Sequence, residues 1–217
     1  MIELVTLADQ SLREDAASVS SYLPILAVHS SKSEKLTEEK YAYTIPMVNK
    51  IVLIDGGKYE LIGNEVNAVY MASRAKATQY LDGKFESVLS GTKQGGNPGK
   101  YAEWRQKAKN RIQGYKYGAE FLFYLPEFNK FATVFHGTDF ERKVGSSIIM
   151  DALDEGVHTF ILHAQATGPQ AKYKRIVIGA KPGNFTVTAP DEEEAQNAVE
   201  RFLSPPVFVE DPGDSRS

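Results

Sequence analysis

The sequence predicts a mainly β fold, a small antiparallel barrel with an inserted helix and a C-terminal helix, on three observations. The 217 residues include 11 Tyr and 11 Phe, side chains that fit a pleated sheet surface well. Three pairs of apolar and β-branched segments are each joined by a short link rich in Gly, Pro, Asn or Asp, the pattern of hairpins. Segments of helical character are few, and the last is halted by Pro205 and Pro206.

Taken in order, residues 1–20 are polar beyond a short apolar start and read as a loosely held N-terminal arm. Residues 21–190 form the domain. "YLPILAVHSSKSEKLTEEKYAY" supplies an apolar run, Leu23 to Val28, and then a polar loop. In "YTIPMVNKIVLIDGGKYELIG" the link Asp55-Gly56-Gly57 marks a tight hairpin. Pro46 has no amide hydrogen, which limits the strand before it to an edge or a bulge. "VNAVYMASRAKATQYLDGKFES" fits helical spacing through Val66, Val69, Tyr70 and Ser73, and alternation through Val66, Ala68 and Tyr70; strand is the expectation. "SGTKQGGNPGK", with four glycines and a proline in eleven residues, is a loop. Lys100 to Gln113 has helix formers without a breaker and reads as a short basic helix.

The runs Phe121 to Leu125 and Phe131 to Phe135, joined by Pro126-Glu127-Phe128-Asn129, make the second hairpin. Thr138 and Glu141 have the spacing of a capping box, and Phe140, Val144 and Ile148 share one side of the helix that follows, which meets Gly156. "HTFILHAQA" and "KYKRIVIGA" form the third hairpin across "TGPQA". Asp191 and three glutamates open an acidic helix over residues 191–204, where carboxylates suit the positive end of the helix dipole. Residues 205–217 read as a flexible tail, disordered after Val209. Hairpins with an inserted helix fit an OB-like barrel, which also uses aromatic faces and basic loops; an α+β sandwich is the other architecture open to this order.

Cysteine is absent, which excludes disulfides, thiolate nucleophiles, iron–sulfur clusters and cysteine-ligated zinc. No apolar stretch is long enough to span a bilayer, and the first residues lack a basic segment followed by an apolar run; a cytoplasmic setting is expected. The sequon Asn184-Phe185-Thr186 carries no weight there. "GGNPGKY" fails as a phosphate loop twice: three residues, not four, separate Gly95 from Gly99-Lys100, and Tyr101 stands where Ser or Thr would hold magnesium. His29, His136, His158 and His163 pair with no carboxylate at ligand spacing and read as structural or surface histidines. Asp151, Asp154 and Glu155 suit a solvated helix end or a divalent ion, the latter being what a metal-dependent nuclease would need. No nucleophile motif appears. The expectation is a protein without catalytic residues, metal or cofactor.

What remains is charge and rings. The formal net charge is −3, but Asp191 to Ser217 carries −6, so residues 1–190 carry +3. From Arg74 to Lys116 ten bases stand against Asp82, Glu86 and Glu103. In "GKYAEWRQKAKNRIQGYKYG", Lys100, Arg105, Lys107, Arg111 and Lys116 alternate with Tyr101, Trp104, Tyr115 and Tyr117. "AKYKRIV" repeats the theme with Lys172, Tyr173, Lys174 and Arg175, and "SRAKATQY" offers Arg74, Lys76 and Tyr80. Such bases gain free energy from single strands by displacing counterions, and rings add stacking of about 1–3 kcal/mol per base. Taken one segment at a time, a solvated face with rings packed inward explains each; three on one chain favour a nucleic-acid groove.

In layout, "YLPILAVHSS" through "YTIPMVNKIVLIDGG", and then "YGAEFLFYLPEFNKFATVFHGTDFERKV", resembles bacteriophage single-stranded-DNA-binding proteins over residues 20–180: a cysteine-free β barrel, basic aromatic elements and an acidic end. The resemblance implies sequence-independent, non-enzymatic binding of single-stranded DNA in replication or recombination. It also implies an acidic end, here with Phe208, Glu210, Asp211 and Asp214, that competes for the groove and recruits replication proteins. A homo-oligomer is compatible with it. The alternative is a protein-interaction or structural role, in which the aromatic surface and the "DEEEAQNAVERFL" helix dock onto another protein.

Overall fold

The computed structural model describes residues 23–30, 39–82, 84–92, 95–167 and 175–204. The expected arm, the expected tail and Lys172, Tyr173 and Lys174 lie outside the described residues.

Strands β1 (Ile25–Val28), β2 (Ile51–Asp55), β3 (Lys58–Gly63), β4 (Glu65–Leu81), β5 (Lys84–Leu89), β6 (Tyr115–Leu125), β7 (Lys130–His136), β8 (Thr159–Ala166) and β9 (Ile176–Pro182) form one sheet. Their order is β3-β2-β1-β7-β6-β4-β8-β9, with β5 joined to β4. The fold is mainly β, as the aromatic and hairpin signals predict. Its ladders, however, describe an open path from β3 to β9, with no ladder joining those two strands among the described residues. The mainly β class stands, and nothing in this ladder order identifies the five-stranded, partly open arrangement of an OB-like barrel.

All three expected hairpins form. In the first, Gly56 and Gly57 both take positive φ, 53° and 76°, the turn whose twist matches the flanking strands. In the second, Asn129 takes φ 48° and its side chain accepts a 2.9 Å hydrogen bond from the Tyr124 hydroxyl. In the third, β8 and β9 pair from Phe160↔Pro182 to Ala166↔Ile176. Pro46 lies in no strand: Glu39–Met47 is a 3-10 helix. Its Thr44 is buried, with Oγ1 3.0 Å from His29 Nε2.

β4 is a strand of 17 residues, and it organises the molecule. It pairs with β8 over Glu65–Val69, with β6 over Val69–Gln79 and with β5 over Lys76–Leu81. The sequence pattern reads β4 and β5 as one segment. Asp82, at φ 50°, turns the chain between them.

One sheet face carries the main core, with Phe121, Phe123, Leu125, Val134, Phe160 and Leu162 packed against Ile149 and Ala152. Those last two belong to the segment that the capping box opens: α2 (Asp139–Glu141), a π turn (Arg142–Ser146) and α3 (Ser147–Asp154). Thr138 and Glu141 make both bonds of the box. The π turn widens the helix, so Val144 and Ile149 are buried where regular spacing pointed to Val144 and Ile148. It also brings Gly145 and Ser146 onto His136, whose Nδ1 lies 3.1 Å from Ser146 Oγ.

Helix α1 (Pro98–Lys109) starts at the Asn97 cap, whose side chain accepts from the Lys100 amide, with Pro98 at the first turn. It ends four residues earlier than its composition predicts, because Arg111 takes φ 58°. Helix α4 (Glu192–Leu203) is capped by Asp191 and lays Ala198 and Phe202 on Leu122 of the second sheet face.

Candidate nucleic-acid interface

Successive residues of a strand point to opposite faces. β4 therefore projects Arg74, Lys76, Thr78 and Tyr80 to one side, and the unbroken register over Ser73–Leu81 fixes their neighbours. Tyr80 lies across from Phe85, Thr78 from Ser87 and Lys116, Lys76 from Leu89, and Arg74 from Glu120. The result is a track of side chains with two rings at one end and two bases at the other. Tyr80 and Phe85 are 60% and 63% exposed, the two most exposed large apolar side chains among the described residues.

At the basic end the track opens into a chamber of about 350 Å³ whose lining includes Arg74, Lys76, Lys100, Arg201 and Glu120. Glu120 is 4% exposed and accepts from Arg74 Nε and Lys76 Nζ, both at 2.6 Å. A carboxylate at that depth requires such partners, and it holds both cations in place. The Arg74 guanidinium lies 4.3 Å from the centre of the Phe202 ring and donates to the Phe202 carbonyl at the C-terminal end of α4. Lys100 Nζ sits 3.0 Å from Glu86, an exposed pair that costs little to exchange for a phosphate.

The basic helix α1 is arranged differently from the expectation. Trp104 is 3% exposed, packed with Ala77 and Val88, with Tyr101, Tyr115 and Tyr117 against that cluster. Its indole face is therefore not offered to a base, because α1 needs one large ring to anchor it to the sheet. Lys107 pairs with Glu103 at 2.6 Å and reaches the Tyr115 hydroxyl at 3.4 Å. The Glu103 bond first, then the Tyr115 bond, raises its pKa. Arg105 and Arg142 lie over Tyr117, at 5.6 and 4.2 Å from the ring centre. Tyr101, Tyr115 and Tyr117 are thus half-buried packing residues, and Arg105 and Arg111 are exposed. Arg175 is exposed at the start of β9, on the hairpin that pairs with the first part of β4, away from the track.

Arg111 occupies a left-handed position just past the α1 cap, where glycine is favoured. Arg111→Gly is expected to raise stability by about 1 kcal/mol, the cost of placing a side chain there. Thermal unfolding of the two proteins checks it.

Of the residues expected from sequence, the fold brings Arg74, Lys76, Lys100 and Lys116 to one region and leaves the α1 rings inside. It adds Phe85, Glu120 and Arg201, which sequence reasoning missed. Two signals are present: Asp82-Gly83 is a hairpin dipeptide with an aromatic two residues before it and two after, and Glu120 is the one acid of its strand, directly before the apolar run Phe121–Leu125. Among the described residues no three His, Asp or Glu side chains group as a metal site, and no helix is long and apolar enough to cross a membrane. No protein-family model, curated protein or solved structure matches the chain.

Proposed function

We propose that this protein is a non-enzymatic binder of single-stranded DNA that uses the β4–β5 track, with Tyr80 and Phe85 stacking on bases and Arg74, Lys76, Lys100 and Lys116 meeting phosphates. The observation that carries it is the exposed cross-strand pair Tyr80–Phe85 on the same sheet face as Arg74 and Lys76. Leaving two such rings in water forgoes about 1.5–3 kcal/mol of burial for each. Stacking recovers that without reading sequence, because every base has a flat face. The layout resemblance to phage single-stranded-DNA-binding proteins supports the same assignment and a role in replication or recombination.

Anisotropy of a labelled dT oligonucleotide, at low and at raised salt, is the test. Binding should weaken steeply with salt and exceed that of duplex DNA. Phe85→Ala should weaken it by about 1–3 kcal/mol, roughly five- to 150-fold, with the melting temperature unchanged because the ring is exposed. Salt-independent binding, or equal binding of duplex, sinks the assignment. Tyr43, Ile45 and Leu61, exposed on the 3-10 helix and the edge strand β3, favour a protein partner as the second function. A flat oligonucleotide titration together with a co-purifying protein would turn the assignment to it.

A further inference from the structure

Given the strand-binding function proposed above, we infer that the chamber at the α4 end of the track recognises the terminal phosphate of a single strand, a phosphomonoester at a chain end. The rows of side chains along β4 and its neighbours run Tyr80·Phe85, then Thr78·Ser87·Lys116, then Lys76·Leu89, then Arg74·Glu120. The next row, Ala72·Leu122, is covered: both residues pack with Phe202 of α4. The track therefore stops at α4.

The neighbouring β6 row is closed as well. The His136 carbonyl comes so near Gly118 that a Cβ there would stand 1.9 Å from it. A strand laid over Tyr80 and Phe85 and running toward Arg74 meets walls on the α4 and β6 sides, and Lys100, at the start of α1 on the other sheet face, lines the chamber past the edge strand β5.

The chemistry of the chamber suits an end. Four cations, Arg74, Lys76, Lys100 and Arg201, line it, with the Glu120 carboxylate between the first two and the exposed Glu86 carboxylate 3.0 Å from Lys100. A phosphodiester within a strand carries one negative charge and continues in two directions. A terminal monoester continues in one, carries about 1.5 to 2 charges at neutral pH and offers three acceptor oxygens. Arg74 and Lys76 are already positioned by Glu120 at 2.6 Å each, so little ordering is left for the ligand to impose.

The experiment is a competition for a labelled dT oligonucleotide by three unlabelled ones of equal length: 5′-phosphorylated, 3′-phosphorylated, and hydroxyl at both ends. One phosphorylated end should compete about tenfold better than the hydroxyl form, and which end it is gives the polarity of the strand. Lys100→Gln, a substitution at an exposed side chain, should abolish the difference. Phe85→Ala should weaken all three alike and keep it. Equal competition by all three overturns end recognition while strand binding stands. If no oligonucleotide binds, strand binding fails, and thermal shifts with dTMP against thymidine decide the chamber by themselves. Stabilisation by dTMP alone, lost in Lys100→Gln, retains a phosphomonoester site, and equal shifts remove it.

Discussion

Gly118→Ala is expected to prevent accumulation of the folded protein. A Cβ at that position would lie 1.9 Å from the His136 carbonyl oxygen and 2.9 Å from its carbon. Both atoms are main chain, so no side chain can swing aside. Neither strand can retreat: Gly118 is in register with Lys76, Ala119 with His136, and the Arg142 guanidinium ties the Tyr117 and Gly137 carbonyls together. Contact this close to backbone belongs among the rare substitutions that cost more than about 4 kcal/mol. Gly99→Ala is the control, since its Cβ would lie 3.5 Å from Asn97 Oδ1, an ordinary contact. Soluble yield and thermal melts separate them. A Gly118→Ala protein that melts within a few degrees of the parent would show that the β6–β7 crossing yields.

Acid should destabilise the protein through His136. Burial drives its pKa from 6.5 down to about 4, against the opposing pull of the Glu141 carboxylate and the Ile178 backbone. The unfolded chain therefore binds more protons than the folded one between those two values. Stability is complete above the unfolded pKa and falls as pH drops from about 6.5 toward about 4. The loss over that window approaches about 3 kcal/mol. His29, whose pKa burial also lowers, acts in the same direction. Urea midpoints at pH 7.5 and 4.5 measure the slope. His136→Asn should be less stable at neutral pH and show a shallower fall, and parallel slopes for the two proteins would remove His136 as the cause.

These two effects meet at one place. His136 closes the ladder to β6, its carbonyl crosses Gly118, and its ring is pressed by Gly145 of the π turn. The same crossing bounds the track on its β6 side. Disturbing it by acid or by a methyl group is expected to act on the chamber as well as on stability.

The mainly β class, the three hairpins, the capping box at Thr138 and the acidic cap of α4 are legible along the chain, because each follows from residues close together in it. Gly56-Gly57 supplies the two positive φ angles of its own turn, and Asp191 caps its helix with its own side chain. The basic middle of the chain was legible as composition, and Arg74, Lys76 and Lys100 were named from it. Which rings face water depends instead on packing between elements far apart in the chain. Tyr101, Trp104, Tyr115 and Tyr117 read as a stacking surface by their alternation with bases. They turned inward because α1 must bury apolar area against Ala77 and Val88 to be held at all. Tyr80 and Phe85 stay outside because, among the described residues, no helix packs on their face of the β4–β5 hairpin, α1 lying on the opposite one. Glu120 could acquire its role only when β6 came into register with β4 and set one carboxylate between two cations 44 and 46 residues away. Distance along the chain hides such a site, since its energy comes from desolvated charges that meet only after the sheet has formed.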